Sequence, residues 1–489
     1  MAHVTRRVFT RTAAATTAAL AIPGWAIADR RLPRSANDTM RIAVAGLNGR
    51  GRNHLEGFQR LDGVEVVALC DPDSKVLSEA SRQYGQKYQR SFECQKDIRT
   101  LLERDDIDAV SIATPNHWHA LMTIWSCQAG KDVYVEKPVC HNVKEGLAMV
   151  DVARRTGRIV QTGTQGRSST AIRDAFKYVQ GGNLGRPRVA RGLCYKPRQS
   201  IGLVNGPQPV PDHIDYDLWV GPAAMEPLQR RRLHYDWHWD FNTGNGDLGN
   251  QGVHQMDICR WAIGADTLSP SVISIGGRFG YEDNGNTPNT QVIYHDYPEV
   301  PIIFEVRGLP RDRAARNEGW GGNMDRMHGN SICACLECED GVIVTNNDYN
   351  RATVLDSDGE VVTTFTGSRN HFEDFVQACR SRRHEDLSAD INEGALSSNL
   401  CHTGNISHHL GRPGTASEAL EAVSSREGAT DAVTRMITHL RANQVDVDRP
   451  SITIGPWLEM DVEDVRFTNR SEADKLLAGN VRGEYSYTP

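Results

Sequence analysis

From residue 40 onward, short apolar runs alternate with longer stretches whose apolar positions recur at helical spacing. The runs predict strands over 41–45, 64–70, 108–113, 132–135 and 159–162. The longer stretches predict helices over 50–60, 74–84, 96–104, 119–129 and 143–156. Strands this short and apolar, each followed by a helix, predict a parallel sheet covered on both faces.

After residue 166 the rhythm changes. A helix near 169–180 leads to a strand over 188–195, a long loop rich in proline and glycine, and a strongly helical stretch at 248–262. Strands without intervening helices follow at 271–276, 290–295, 302–307, 332–336 and 341–344, then helices at 371–381 and 392–409. Beyond 411 only 430–443 reads as regular. The predicted fold is therefore α/β: a doubly wound parallel domain at 40–165, and an α/β domain at 166–411 with a large, mainly antiparallel open sheet. A C-terminal extension occupies 412–489. An open sheet face suits a homo-oligomer.

The first residues do not fit this scheme. Thr5-Arg6-Arg7-Val8-Phe9 is a twin-arginine pattern, a short apolar run spans 13–22, and Ala26-Ile27-Ala28 resembles a cleavage signature. Residues 1–28 thus read as a twin-arginine signal peptide and 29–39 as a polar linker, which implies an exported, periplasmic protein. The run is too short and too rich in threonine to span a bilayer. The whole chain has 489 residues and a net charge of −7, and removing Arg6, Arg7 and Arg11 makes it more acidic. No basic stripe speaks for nucleic acid. Eleven cysteines without framework spacing exclude a disulfide scaffold. Cys333, Cys335 and Cys338 alternate with apolar residues as a buried strand does, so no metal site is expected there.

Gly46-Leu47-Asn48-Gly49-Arg50-Gly51 follows the first strand and opens the first helix. A dinucleotide pyrophosphate needs such a tight turn, close backbone approach and the N–H groups of a helix start. Asn48 stands at the second glycine position and tolerates left-handed backbone. Asp71 ends the next strand about twenty residues on, where a carboxylate accepts hydrogen bonds from the adenosine ribose and repels a 2′-phosphate. NAD is expected rather than NADP.

Thr114-Pro115-Asn116-His117-Trp118-His119 follows the third strand and Glu136-Lys137-Pro138 the fourth, both at carboxyl ends where open α/β sheets bind ligands. With Asp247-Leu248-Gly249-Asn250-Gln251-Gly252-Val253-His254-Gln255-Met256-Asp257, these segments resemble the Gfo/Idh/MocA oxidoreductases in that order. The resemblance implies a Rossmann domain joined to a sheet domain covering the nicotinamide, with Lys137 and His254 flanking the reacting carbon. It also implies that Thr114, Pro115, Asn116, His119, Glu136, Lys137 and Gln165 join Gly46, Asn48, Gly49, Arg50, Gly51 and Asp71 around the cofactor, with a cis peptide before Pro138. A neutral histidine can accept an alcohol proton, and an ammonium stabilises the developing alkoxide.

One position departs from the pattern. Relatives commonly have Asp four residues before the histidine; here it is Asn250, which orients an imidazole but carries no charge. Asp257, three residues after His254, is the alternative source of that charge. Lys196, Arg198, Tyr235 and His238 fit a polyhydroxylated ring, which offers an apolar face and a hydroxyl edge. A zinc site from His234 and His238 lacks further ligands. The expected activity is NAD-dependent oxidation of a secondary alcohol in a sugar, polyol or glycoside, with the cofactor held and recycled. Glycoside cleavage through a transient keto sugar, and a non-catalytic sugar-binding protein, are the alternatives. No phosphate-loop, H-E-x-x-H or G-x-S-x-G pattern is present.

Overall fold

The computed structural model describes residues 39–426, 428–479 and 482–487. The expected signal peptide, and all but the last residue of the linker, lie outside them. Among the described residues no helix is long and apolar enough to cross a membrane.

Six parallel strands form the first sheet: β1 (Met40–Ala45), β2 (Val64–Cys70), β3 (Glu93–Gln95), β4 (Ala109–Ile112), β5 (Asp132–Val135) and β6 (Val160–Thr162). Their order is 3-2-1-4-5-6, the doubly wound arrangement of dinucleotide-binding domains. The register levels their ends, since Ala45 pairs with both Cys70 and Ile112, Ile112 with Val135, and Val135 with Thr162. Gly46, Asp71, Ala113, Glu136 and Gly163 therefore leave the sheet along one edge. The short edge strand β3 was not expected; it is half exposed and too polar to show a pattern.

The second sheet is mixed and large. It contains β7 (Pro187–Tyr195), β8 (Ser271–Gly277), β9 (Thr290–His295), β10 (Ile302–Arg307), β11 (Ile332–Cys338), β12 (Gly341–Thr345), β13 (Arg351–Asp356), β14 (Val361–Thr366), β15 (Arg412–Gly414) and β16 (Ile452–Ile454). The spatial order is 14-13-12-11-7-10-9-8-16-15, with β17 (Leu458–Asp461) also on β8 and β18 (Arg466–Phe467) on β17. Among the described strands of this sheet, only β7 and β10 run parallel. The thiols of Cys333 and Cys335 are buried on β11, as the alternation predicts.

The inner face of this sheet packs Ala190, Cys194 and Phe304 against Val253 and Met256 of helix Val253–Ala262. The outer face is not left open over β8, β9 and β10. Val292, Ile273 and Ile303 pack there against Val433, Met436 and Ile437 of helix Ala429–Ala442. The helix expected at 430–443 is thus present, and the C-terminal extension around it carries further short strands and helices that were not expected. Its strands β15 and β16 have only three residues each, too few for a readable alternation. Helix His371–Ser381 returns to the first domain, placing Phe375, Val376 and Cys379 in the core that holds Phe58 and Tyr134.

Candidate active site

The carboxyl edge of the first sheet, helix Val253–Ala262 and the loop after β7 enclose a cavity of about 620 Å³. One end is formed by the glycine turn. Gly46 has φ +83°, and a Cβ there would meet Ala113 O at 2.5 Å. A Cβ on Gly51 would meet Gly46 O at 1.8 Å, so this glycine lets helix Arg50–Gln59 start hard against its own turn. A Cβ on Gly49 would meet nothing within 4 Å. Gly46, Asn48, Gly49 and Arg50 line the cavity, while Gly51 acts from behind it. This division of labour, two glycines for backbone geometry and one facing free space, fits a pyrophosphate.

Asp71 borders the same end and is 5% exposed. Its carboxylate accepts from Leu47 N at 2.7 Å and Asp73 N at 3.0 Å. Burial pushes its pKa up to about 6, against the pull of those two N–H donors. Only the ionised form accepts with both oxygens. Nucleotide affinity is therefore expected to be full above that pH and to fall as pH drops through it. Asp71→Asn should abolish the pH step and admit NADP, which titration with each nucleotide at several pH values measures; a pH-independent wild-type affinity would contradict this.

At the centre of the edge, Glu136 is buried and saturated. It accepts from Arg50 Nε at 2.9 Å and faces His54 Nε2 at 3.0 Å. Burial alone would raise its pKa, but the Arg50 charge and the His54 hydrogen bond hold it well below the carboxylate range. Gln165 Nε2 approaches it at 3.5 Å. Glu136 thus anchors Arg50 across the nucleotide cleft. His54, fully buried, was not singled out from sequence because nothing in its helix distinguishes it from a core residue.

His119 also lines the cavity, but both its nitrogens are engaged, with Pro138 O at 2.6 Å and Thr114 O at 2.8 Å. It ties the turn after β5 to the turn after β4. The expected cis peptide between Lys137 and Pro138 is present. Thr114, Pro115 and Asn116 line the cavity, and Asn116 donates to Asn245 Oδ1 at 2.9 Å.

Lys137 and His254 face the same cavity. Lys137 Nζ donates to Asn250 O at 2.8 Å and lies 3.4 Å from Asn250 Oδ1. Burial lowers the Lys137 pKa, with Glu136 opposing. Burial, and then the Lys137 charge, keep His254 neutral well below its ordinary value. Its Nδ1 is buried without a hydrogen-bond partner among the described residues, and its ring lies 5.2 Å from that of Tyr349.

Two expectations about this helix are corrected. Asn250 makes no hydrogen bond to His254 among the described residues; it lies in the π-helical turn Leu248–Gly252, and both its oxygens serve Lys137 Nζ instead. Asp257 does not supply charge to His254. Its carboxylate is 1% exposed, accepts from Arg167 Nε at 2.9 Å and Nη2 at 2.9 Å, and from Ser397 Oγ at 2.8 Å. An arginine fork of this kind consumes the carboxylate.

The substrate-side residues divide. Lys196, Tyr235 and His238 line the cavity. Arg198 does not: it is buried behind it, forked onto Asp247 at 2.7 and 2.8 Å, and donates to the Tyr235 hydroxyl at 3.1 Å. Its charge is spent inside the protein, so it positions Tyr235 rather than meeting substrate. Burial pushes the His238 pKa down to about 3, and its Nδ1 lies against the Tyr235 carbonyl.

Residues 199–247 form a strap over the cavity, contributing Leu218, Trp219, His234 and Trp237 to its lining. The strap is fastened to the first domain by His213 and His234, which meet the two oxygens of Asp73 at 2.9 and 2.8 Å. Ser74 N donates to His213 O at 2.9 Å, and Trp118 Nε1 to Trp219 O at 3.1 Å. From the C-terminus, Arg482 and the Tyr485 hydroxyl both hold Asp217, at 2.6 and 2.8 Å. Trp219 was not singled out from sequence, since contacts this distant in sequence leave no periodic signal, whereas Trp237 belongs to the aromatic stretch 234–239 that reads as substrate-side.

Two family models account for most of the chain. Residues 40–164 match the GFO_IDH_MocA model, an oxidoreductase family NAD-binding Rossmann fold, and residues 169–437 match the C-terminal alpha/beta domain of the same family. The chain belongs to the Gfo/Idh/MocA oxidoreductase family. A glycosyl hydrolase family 109 protein of Shewanella pealeana is 41% identical over 126 residues, 24% of this chain and 27% of its own length. A 4-carboxy-2-hydroxymuconate-6-semialdehyde dehydrogenase of Sphingobium is 29% identical over 189 residues, 39% of this chain and 58% of its own. The chain therefore spans from about a quarter to somewhat over half of these relatives. Levoglucosan dehydrogenase in complex with NADH and levoglucosan superposes with a TM-score of 0.55 at 19% identity, over 74% of this chain and 95% of that one. The likeness in the solved structure shows the fold.

Proposed function

We propose that the protein is an NAD-dependent oxidoreductase acting on a secondary alcohol of a sugar, polyol or glycoside, and that it keeps its nucleotide through repeated turnovers, the hydride being returned each time to a second carbonyl compound or to the keto intermediate itself. The observation that carries this reading is the joining of the glycine turn, Asp71, Lys137 and His254 in one cavity beneath the strap. Gly46, Asn48, Gly49 and Arg50 would hold the pyrophosphate and Asp71 the adenosine ribose. When bound, the nicotinamide supplies the acceptor for the hydride of the carbinol carbon. His254, neutral at working pH, takes the hydroxyl proton. Lys137 holds the oxygen and stabilises its developing charge, in a site from which the strap excludes water.

The twin-arginine pattern supports export after folding, with the nucleotide carried inside. The test is to purify the protein without added nucleotide, denature it and identify what is released. Near-stoichiometric NAD is the expected result; an empty site that needs free NAD for every turnover would refute retention.

Glycoside cleavage through transient oxidation and elimination is the second reading. The identity to a glycosyl hydrolase family 109 protein and the neutral Asn250 favour it. Chromogenic glycosides separate the two, because only cleavage releases aglycone without accumulating reduced nucleotide.

A further inference from the structure

The substrate end of the cavity carries uncompensated positive charge. Four cationic side chains lie in or behind the cavity: Lys137 and Lys196 at its substrate end, Arg50 at the nucleotide end and Arg198 behind the wall. Two are neutralised one to one, Arg50 by Glu136 and Arg198 by Asp247. The other two rest on neutral groups. Lys137 Nζ lies on the oxygens of Asn250, and Lys196 Nζ donates to Gln251 Oε1 at 3.1 Å. Among the described residues neither ammonium has a carboxylate within ion-pair distance. The remaining acids of the cavity lining, Asp71 and Asp97, belong to the nucleotide end.

Both ammonium groups are thus parked on consecutive residues of the π-helical turn Leu248–Gly252. That turn supplies a fixed pair of neutral acceptors, which hold the two lysines without cancelling their charge. Gln251 is itself fixed, donating through Nε2 to the Tyr349 hydroxyl at 3.2 Å, and Gln255 donates to the same hydroxyl at 3.1 Å. Holding two like charges together in a partly dry cavity is costly unless a ligand brings the opposite sign. The reacting oxygen acquires negative charge only transiently, and that accounts for Lys137. Lys196 is left for a permanent anion.

We propose that the substrate is a carboxylated sugar, a uronic acid or its glycoside, whose carboxylate pairs with Lys196 while its secondary hydroxyl sits between Lys137 and His254. This rests on the oxidoreductase reading for the hydroxyl but not for the carboxylate. The reaction would pass the hydride of the carbinol carbon to the bound nucleotide and the hydroxyl proton to His254, leaving a ketone; the carboxylate stays unchanged.

The test compares D-glucuronate, D-galacturonate and their methyl glycosides with D-glucose, D-galactose and the corresponding neutral glycosides on the nucleotide-loaded protein. Binding is followed by calorimetry and hydride transfer by nicotinamide absorbance. The expected result is tighter binding of the uronic acids, with Lys196→Gln reducing the preference over neutral sugars by roughly 30-fold and Lys196→Arg restoring most of it, as for a charge-assisted hydrogen bond. Equal binding of the two classes, or a preference unmoved by Lys196→Gln, overturns the proposal even where sugars are oxidised. Uronic acids bound through Lys196 with no transient reduction of the bound nucleotide in a single turnover would leave the anion site standing and refute the oxidoreductase reading instead.

Discussion

Lys137→Met is expected to lower turnover by about 10²- to 10³-fold, the usual consequence of deleting one preorganised charge at a developing oxyanion. Methionine nearly preserves the volume and the unbranched shape of the side chain, so the strand end and the turn at Pro138 should keep their conformation. The loss then reports the ammonium alone. Its effect should be large because Lys137 is half-buried beneath the strap, where little water screens it. The wild-type pH profile carries a second signature. Burial lowers the pKa of this ammonium, so the charge is present below that pKa and lost as pH rises through it. Activity should decline on the alkaline side earlier than an exposed lysine would allow, and the Met variant should lack that limb. Single-turnover reduction of bound nucleotide measures both. A Met variant within about threefold of wild type would remove Lys137 from the chemistry.

The parts of this site that were legible in the sequence are those built by local backbone. A parallel strand ends, and the next residues lie on the ligand edge; hence Gly46, Asp71, Thr114 and Glu136 could be placed from the apolar runs that precede them. The edge itself follows from register, since Ala45, Cys70 and Ile112 are level. Illegible were the contacts closed over long sequence separations. His213 and His234 reach Asp73 across more than a hundred residues, and the Tyr485 hydroxyl reaches Asp217 from the far end of the chain. No periodicity encodes such pairs.

The errors at Asn250 and Asp257 are also of the long-range kind: Lys137, from the end of β5, takes Asn250, and Arg167 takes Asp257, which shares an unbroken α-helix with His254. The π-helical turn at 248–252 was not legible either, since glycines at 249 and 252 give no warning of it beyond their small size. A Cβ on Gly252 would crowd Phe304 at 3.0 Å, so close packing on β10 is what this segment requires. What covers the outer face of the sheet over β8, β9 and β10 was hidden for another reason. Helix Ala429–Ala442 was readable by its spacing, but where it docks depends on the three-residue strands β15 and β16.

Gly49→Ala and Gly51→Ala should fail in opposite ways, although the positions are two apart. At residue 49 the added methyl meets no protein atom within 4 Å, so folding stability should be unchanged. The methyl would instead occupy the approach to the backbone N–H groups of the helix start, the space assigned to the pyrophosphate. Losing charge-assisted hydrogen bonds there should weaken NAD on the order of 10²-fold. At residue 51 the methyl would lie 1.8 Å from Gly46 O, a backbone atom that cannot step aside without moving the turn. Overpacking of this kind costs about 1–3 kcal/mol, or several degrees of Tm in a domain of this size, and displaces the helix that forms the site. Thermal melts of nucleotide-stripped protein and NAD titrations decide the matter together. If Gly49→Ala lowered Tm while keeping NAD affinity, the pyrophosphate would have to lie elsewhere, and the assignment of the turn would fall with it.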